Sequence, residues 1–223
     1  MIPIYTGFDP REAMGYHVFC QSVIQNASEP VCFIPLAEPL LGVDGRRDGS
    51  NAFIYSRFLA PFLNDYKGWA IFADGADMLC RDNIADLWAL RDGMIGRAVC
   101  VVKNSYTTRY PVKYLGAPNP DYPRKNWSSL MLMFCGHSAW RKINPKTLAK
   151  MSGRQLHRFE FLTDSQIGNL PIEWNWLVGE YPANEQASLY HFTLGIPPLF
   201  RIGNQHTSAA EREWDAMLKA IST

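Results

Sequence analysis

Three short runs of apolar residues, at 69–73, 98–102 and 130–135, lack the apolar/polar alternation that marks a half-exposed strand. Strands buried on both faces occur mainly in parallel sheets that helices cover on each side. Between such runs, apolar residues recur at helical spacing, as Val18, Phe19 and Val23 do. This alternation over the first 135 residues predicts an α/β fold with a mainly parallel central sheet flanked by helices. The length fits one domain over residues 1–223.

Local signals predict where the first helices begin and end. Asp9 is expected to be the N-cap of the first helix, with Pro10 at its first position. Glu12 is expected to be the reciprocal partner in a capping box. That helix should end near Asn26, and Pro61 should kink or shorten the second helical segment.

Further signals lie later in the chain. Residues 38–51 hold Gly, Pro and alternating charges, which predicts a surface loop. Asp82 is expected to cap a helix, and a short helix is predicted near 163–169. Apolar residues at helical spacing predict a C-terminal helix within 205–223.

The charge balance and the cysteines limit the classes of protein to consider. There are 22 Lys+Arg against 21 Asp+Glu, a net charge of +1, which argues against a nucleic-acid binder. The five cysteines are scattered and form no Cys-x-x-Cys pair, as expected for reduced thiols. No apolar run approaches the roughly 20 residues that span a bilayer, and the N-terminus is unlike a signal peptide. We therefore expect a cytoplasmic protein without a transmembrane segment.

Two aspartates directly follow the first apolar run, in the sequence Asp74-Gly75-Ala76-Asp77. Ligands of open α/β sheets bind beyond the carboxyl ends of the strands. Gly75 permits a sharp turn that would let the two carboxylates converge, and Mg²⁺ or Mn²⁺ would relieve their repulsion. A diphosphate is the natural additional ligand of such an ion. From spacing alone, a plain turn with a helix cap explains the two aspartates equally well.

Several stretches, in order along residues 2–200, resemble GT-A glycosyltransferases, in particular glycosyltransferase family 8 and related bacterial enzymes. They are Ile4-Tyr5-Thr6-Gly7-Phe8-Asp9-Pro10-Arg11-Glu12, Tyr55-Ser56-Arg57-Phe58, Asp74-Gly75-Ala76-Asp77, Thr163-Asp164-Ser165-Gln166 and Tyr190-His191-Phe192-Thr193-Leu194-Gly195-Ile196-Pro197-Pro198. The resemblance implies a single GT-A (Rossmann-like) domain that moves a sugar from a nucleotide-diphosphate donor to an acceptor hydroxyl. By analogy with the family the donor is a UDP-sugar and the anomeric configuration is retained. One departure is the metal motif, which is usually Asp-x-Asp in the family.

The resemblance also implies a metal site. Asp74, Asp77 and His191 would hold Mn²⁺ or Mg²⁺, and Asp74 would also touch the donor ribose. Arg57 would lie near the donor. Without the resemblance, Arg57 could be a solvated helix charge, although Tyr55 and Phe58 beside it indicate a partly buried setting. A structural histidine is then the better explanation of His191.

Further roles follow by the same resemblance. Tyr5, Thr6 and Asp9 would line the pocket for the nucleotide base, although Asp9 is equally well explained as an N-cap. Asp164 and Gln166 would lie near the transferred sugar and support its oxocarbenium-like centre.

Two other functions fit parts of this pattern. A nucleotidyltransferase acting on sugar phosphates also combines an α/β sheet with carboxylate-bound Mg²⁺, but commonly has a Gly-rich basic loop where this chain has Gly7-Phe8-Asp9-Pro10. A non-catalytic carbohydrate-binding domain would use the aromatic residues without needing the metal-site residues. The aromatic, Pro-rich segment 103–127 is predicted to border the acceptor site, with a structural lid as the alternative.

Overall fold

The computed structural model describes residues 1–37, 52–197 and 208–222. Residues 38–51, predicted as a surface loop, lie outside the described residues, and so do residues 205–207 of the predicted C-terminal helix.

The described residues form strands and helices that alternate along much of the chain. The strands are β1 (Ile2–Gly7), β2 (Val31–Leu36), β3 (Trp69–Ala73), β4 (Met78–Cys80), β5 (Val99–Val101), β6 (Val112–Lys113), β7 (Ala117–Pro118), β8 (Leu130–Phe134), β9 (Ile167–Asn169), β10 (Trp176–Leu177) and β11 (Leu189–His191). The α-helices are α1 (Ala13–Asn26), α2 (Ala60–Leu63), α3 (Ile84–Ala89), α4 (Pro145–Leu148), α5 (Gly153–His157) and α6 (Ala209–Ile221).

The central sheet has six strands in the order β2-β1-β3-β8-β5-β9. Strands β1, β2 and β3 pair in parallel, as do β5 and β9, whereas β8 is antiparallel to both of its neighbours. The predicted mainly parallel sheet is therefore confirmed, with β8 as the reversed strand. Because β8 is reversed, the residues that precede it lie beside the residues that follow β3.

Helices cover both faces of this sheet, which explains the unalternating apolar runs. On β3, Phe72 belongs to one buried cluster and Ile71 to the other. Helices α2, α4 and α5 contribute to the first cluster, whereas α1 and α3 contribute to the second. Each fully buried side chain of this size favours folding by about 1.5–3 kcal/mol, so both clusters hold the sheet in place.

A smaller sheet, in the order β10-β11-β4, extends the fold beyond the carboxyl end of β3. Helix α6 packs against it through Trp214, which is completely buried. Trp214 belongs to one apolar cluster with Val18 of α1, Leu79 of β4 and Phe192, which follows β11. None of the helices in the described ranges is long and apolar enough to cross a bilayer.

Some local predictions are wrong. The N-cap of α3 is Asn83 rather than Asp82, because the Asn83 side chain accepts the hydrogen bond from the amide of Ala85. The predicted helix at 163–169 is a single 3₁₀ turn followed by β9, since Thr163 does cap a turn but Ile167–Asn169 pairs with β5. The segment around Pro61 is short, as predicted: a 3₁₀ turn, Ser56–Leu59, precedes the four-residue helix α2, and Pro61 lies in the first turn of that helix.

The start of α1 also differs from the capping-box prediction. Asp9 caps a 3₁₀ turn, Pro10–Glu12, by accepting from the amide of Arg11. Helix α1 then begins at Ala13, and the side chain of Glu12 makes no capping hydrogen bond. Glu12 is instead buried. At the other end of the chain, Ala209–Ile221 is helical, inside the predicted range.

Candidate active site

The turn between β3 and β4 brings Asp74 and Asp77 together. The amide of Asp74 extends the ladder by donating to the carbonyl of Ser129 at 2.8 Å. The chain then turns at Gly75, whose φ of +83° favours glycine. A Cβ at this position would lie 2.3 Å from Cγ2 of Thr6, so the close approach of β1 requires glycine as well.

His191 reaches the same place through strand pairing. Strands β11 and β4 are antiparallel, with His191 opposite Met78, and the amide of Phe192 donates to the carbonyl of Asp77 at 2.8 Å. Nε2 of His191 thereby lies 3.4 Å from Oδ2 of Asp77. One ligand atom from each of Asp74, Asp77 and His191 lies within 4.8 Å of the others. The structure thus brings the three predicted metal ligands together.

The chemistry of these donors fits a divalent cation. Oδ1 of Asp77 is sealed from solvent and makes no hydrogen bond. Buried polar atoms normally have a hydrogen-bond or metal partner, so this oxygen is available to bind a cation. Two carboxylates and an imidazole are suitable donors for Mn²⁺ or Mg²⁺. A nearby positive charge would stabilise both carboxylates and would accept the lone pair of the imidazole.

Arg57 supplies part of that charge. Its Nη1 atom lies 2.5 Å from Oδ1 of Asp74, and only 5% of the arginine side chain is exposed. Arg57 also donates to the carbonyls of Ser128 and Ile54 at 3.0 and 3.2 Å. Burial raises the pKa of Asp74 to about 6; Arg57 opposes this rise and Asp77 adds to it.

Two further titratable groups, Glu12 and Lys113, line the same cleft, and the sequence did not point to either of them as a site residue. Burial, together with the charge of Asp77, raises the pKa of Glu12 to about 8. Burial lowers the pKa of Lys113, against the opposing effect of Asp77 and Asp74. Lys113 lies on the β6–β7 hairpin, within the aromatic segment. The cleft therefore holds carboxylates and cations in close proximity.

The aromatic segment 103–127 forms one wall of the cleft. Lys113, Tyr114, Tyr122 and Asn126 from this segment line it. The segment is held in shape by Lys125, whose buried ammonium donates to Oδ1 of Asn119 and to Oγ1 of Thr108, both at 2.7 Å. That the segment borders the acceptor site stays a prediction.

Two of the residues predicted to bind the base, Tyr5 and Thr6, lie near the end of β1, and the third, Asp9, follows this strand. The hydroxyl of Tyr5 donates to Oδ1 of Asn64, and its ring packs in the core. Thr6 is completely buried, with no hydrogen-bond partner for its hydroxyl oxygen. Asp9 accepts from the side chain of Arg11 at 2.6 Å and from the amide of Ala52 at 3.1 Å. None of Tyr5, Thr6 and Asp9 lines the cleft around Asp74. Their role in base binding stays a prediction.

Asp164 and Gln166 also lie outside the lining of this cleft. The Asp164 side chain is 90% exposed and pairs with Nη2 of Arg124 at 2.5 Å. Oε1 of Gln166 accepts from the amide of Thr163 and completes the cap of its own turn. Their roles near the sugar stay a prediction.

The fold was compared with solved structures. The galactosyltransferase LgtC, in complex with donor and acceptor sugar analogues, aligns with a TM-score of 0.59 over 100% of this chain and 97% of that one, at 13% identity. GlyE of Streptococcus pneumoniae TIGR4 gives a TM-score of 0.59 over 99% of this chain, at 11% identity. WbbM, a bifunctional glycosyltransferase, gives 0.55 over 86%, at 15% identity. The chain spans only 63% of GlyE and 45% of WbbM. The fold is that of the GT-A glycosyltransferases, as predicted.

Sequence comparison places the chain among known proteins. It is 38% identical over 205 residues to Protein CDI of Arabidopsis thaliana, which covers 87% of this chain and 78% of that protein. The chain belongs to the family of Protein CDI. No model of a known protein family matches it. Membership of glycosyltransferase family 8 stays a prediction.

Proposed function

We propose that the protein is a metal-dependent glycosyltransferase that moves a sugar from a nucleotide-diphosphate donor, a UDP-sugar, to an acceptor hydroxyl with retention of configuration. The observation that carries this proposal is the convergence of Asp74, Asp77 and His191 within 4.8 Å beyond the carboxyl end of β3. Such an edge of an α/β sheet is where ligands bind. The GT-A fold supports the same conclusion, since solved structures with this fold include a galactosyltransferase with donor and acceptor analogues.

The two aspartates and His191 would hold Mn²⁺ or Mg²⁺, which acts as a Lewis acid toward a bound diphosphate. Arg57 favours the ionised form of Asp74 and fixes the direction of its carboxylate, because Nη1 of Arg57 lies 2.5 Å from Oδ1 of Asp74. Lys113 faces the same cleft from the hairpin and would donate to an oxygen of the departing diphosphate. Positive charge at this point favours departure of the leaving group.

The aromatic wall suits the acceptor. Tyr114 and Tyr122 line the cleft beside Asn126, so apolar ring faces and a polar amide stand together. A sugar presents both an apolar face and hydroxyl groups, and this mixture of side chains matches both. An acceptor hydroxyl placed here would lie on the Lys113 side of the cleft.

Donor hydrolysis in a screen of nucleotide sugars with Mn²⁺ or Mg²⁺ tests the proposal, followed by acceptors with the active donor. Asp77→Ala should abolish metal-dependent turnover, whereas the exposed Asp82→Ala should behave as wild type. Wild-type turnover by Asp77→Ala would refute the metal assignment. Product NMR gives the anomeric configuration.

Two other outcomes separate the alternative functions. Formation of a nucleotide sugar from a sugar 1-phosphate and a nucleoside triphosphate would show a nucleotidyltransferase. Binding of sugars without metal-dependent affinity for UDP in calorimetry would show a carbohydrate-binding domain.

A further inference from the structure

Asn175 is a completely buried amide directly behind His191. It ends the 3₁₀ turn Ile172–Asn175 that precedes β10, and β10 pairs with β11 so that Leu177 lies opposite His191. Oδ1 of Asn175 lies 2.8 Å from Nδ1 of His191. The amide is thus the partner of the imidazole nitrogen that faces away from the carboxylates.

The hydrogen-bond network fixes which way this amide points. Nδ2 of Asn175 donates to the carbonyl of Asn126 at 3.1 Å and to Oγ of Ser129 at 2.9 Å. The hydroxyl of Ser129 donates in turn to the same Asn126 carbonyl at 2.7 Å, so its oxygen is free to accept. A carbonyl can only accept, and a flipped amide would set two oxygens against each other. The oxygen of Asn175 must therefore face His191.

The tautomer of His191 follows from that orientation. Since Oδ1 of Asn175 only accepts, Nδ1 of His191 carries the hydrogen, and the lone pair of the neutral ring is on Nε2. Nε2 is the atom that lies 3.4 Å from Oδ2 of Asp77. We propose that Asn175 is a positioning residue that holds His191 in the Nδ1–H tautomer and aims the Nε2 lone pair at the cation site.

This inference deepens the proposed function and depends on it for the identity of the cation. Partners behind a metal-bound histidine set its tautomer and orientation, and their loss typically weakens metal binding 10- to 100-fold. The role is distinct from support of the fold alone, because it predicts the protonation of one named nitrogen. Ser129 and Asn126 orient Asn175. The amide of Asn175 thus connects the residues just before β8 with His191 at the end of β11 by hydrogen bonds.

The wild-type protein provides the first test. Long-range ¹H–¹⁵N spectra of the metal-free protein, recorded at a pH where the ring is neutral, and of the protein with Zn²⁺, a diamagnetic probe, should show His191 with its hydrogen on Nδ1, with the signal assigned by its loss in His191→Gln. An Nε2–H tautomer would overturn the proposal. This test needs neither catalysis nor an altered Asn175.

Variants provide the second test. Asn175→Leu should lower Mn²⁺ affinity, measured from free Mn²⁺ by electron paramagnetic resonance, about 10- to 100-fold, and should mix the tautomers of His191. If the leucine variant does not fold, the tautomer of His191 in the wild-type protein decides the matter. Asn169→Leu, which makes the same change at an exposed asparagine on β9, is the matched control and should keep both the tautomer and the affinity.

The outcomes distinguish the two proposals. Equal Mn²⁺ affinity in wild type and a folded Asn175→Leu would overturn the positioning role while leaving the glycosyltransferase proposal intact. No Mn²⁺ binding by wild type would overturn the cation assignment, and the tautomer would still show whether Asn175 orients the ring.

Discussion

Nη1 of Arg57 lies 2.5 Å from Oδ1 of Asp74, and burial leaves only 5% of the arginine side chain and 13% of the aspartate side chain exposed. The same guanidinium donates to the carbonyl of Ser128, just before β8. Loss of one partner would leave the other charge buried, and such losses cost about 3–5 kcal/mol. The pair is therefore part of the stability of the site as well as of its chemistry.

Arg57→Met should lower the free energy of unfolding by about 3 kcal/mol in metal-free protein, because Asp74 loses its cation. Asp74→Asn in the same background should cost much less than it does in wild type. Urea unfolding of the double-mutant cycle measures the coupling. The control is Lys67→Met, which breaks an ion pair with Asp65 in which both side chains are 79% exposed, and should change stability by at most about 0.5 kcal/mol. Additive effects of the Arg57 and Asp74 changes would contradict the prediction.

Lys113→Met should weaken the binding of UDP in Mn²⁺ by about tenfold or more, because a charge-assisted hydrogen bond to the diphosphate is lost. The binding of Mn²⁺ alone should not weaken, since Lys113 is a positive charge near the carboxylates. Calorimetry measures both. Lys103→Met, at an exposed lysine, is the control and should leave both affinities near wild type. A parallel loss of Mn²⁺ and UDP affinity in Lys113→Met would instead point to a misfolded cleft.

Burial lowers the pKa of His157 well below 6.5, and its Nε2 atom has no contact with solvent. The unfolded chain takes up a proton at this residue as the pH falls through about 6.5, and the folded protein does not. The contribution of His157 to the free energy of unfolding should therefore decrease below pH 6.5, by at most about 1.4 kcal/mol per pH unit, and should be flat above it.

Urea unfolding of wild type and His157→Gln between pH 5 and 8 checks this expectation. The variant should show a smaller loss of stability between pH 6.5 and 5. His17→Gln, at an exposed histidine, should follow the wild-type curve. An unchanged slope in His157→Gln would show that His157 is protonated in the folded protein.

Gly75→Ala should destabilise the fold by at least about 2 kcal/mol, because it combines a left-handed backbone with a Cβ only 2.3 Å from Cγ2 of Thr6. Two glycines separate these causes. Gly68→Ala carries the positive φ of +60° in open space and should cost about 1 kcal/mol, whereas Gly93→Ala has neither feature and should change little. Equal effects at Gly75 and Gly68 would remove the packing argument.

Local signals in the sequence predicted several elements well. Strand β3 occupies Trp69–Ala73, where five consecutive apolar residues are followed by a turn. The apolar run and the turn residues are adjacent in the sequence, so local reasoning is sufficient to predict this strand. The end of α1 at Asn26 is also as predicted. Strand β9 was missed because Ile167–Asn169 becomes a strand only by pairing with β5, whose position depends on the whole sheet.

In the candidate site, too, local sequence predicts some features, whereas others depend on long-range strand pairing. From the sequence alone, the convergence of Asp74 and Asp77 is one of two interpretations. His191 is implied only by a resemblance, because the pairing of β11 with β4 cannot be derived from composition. Glu12 follows a helix-capping signal, so its pattern gave no reason to place it in a cleft. Lys113 lies in a Pro-rich and aromatic segment without periodicity, and only the antiparallel pairing of β6 with β7 presents it to the carboxylates.

A backbone hydrogen bond, from the amide of Tyr114 to the carbonyl of Leu194 at 2.7 Å, joins the hairpin that carries Lys113 to the segment after β11. We expect a shift of the hairpin toward a bound anion to act through this hydrogen bond on the segment that follows His191. Two ligands that favour the same arrangement of a shared element bind cooperatively, and each raises the affinity for the other by the same factor. We expect cation and nucleotide to bind to this protein with such reciprocal coupling, so that neither affinity has a fixed value independent of the other ligand.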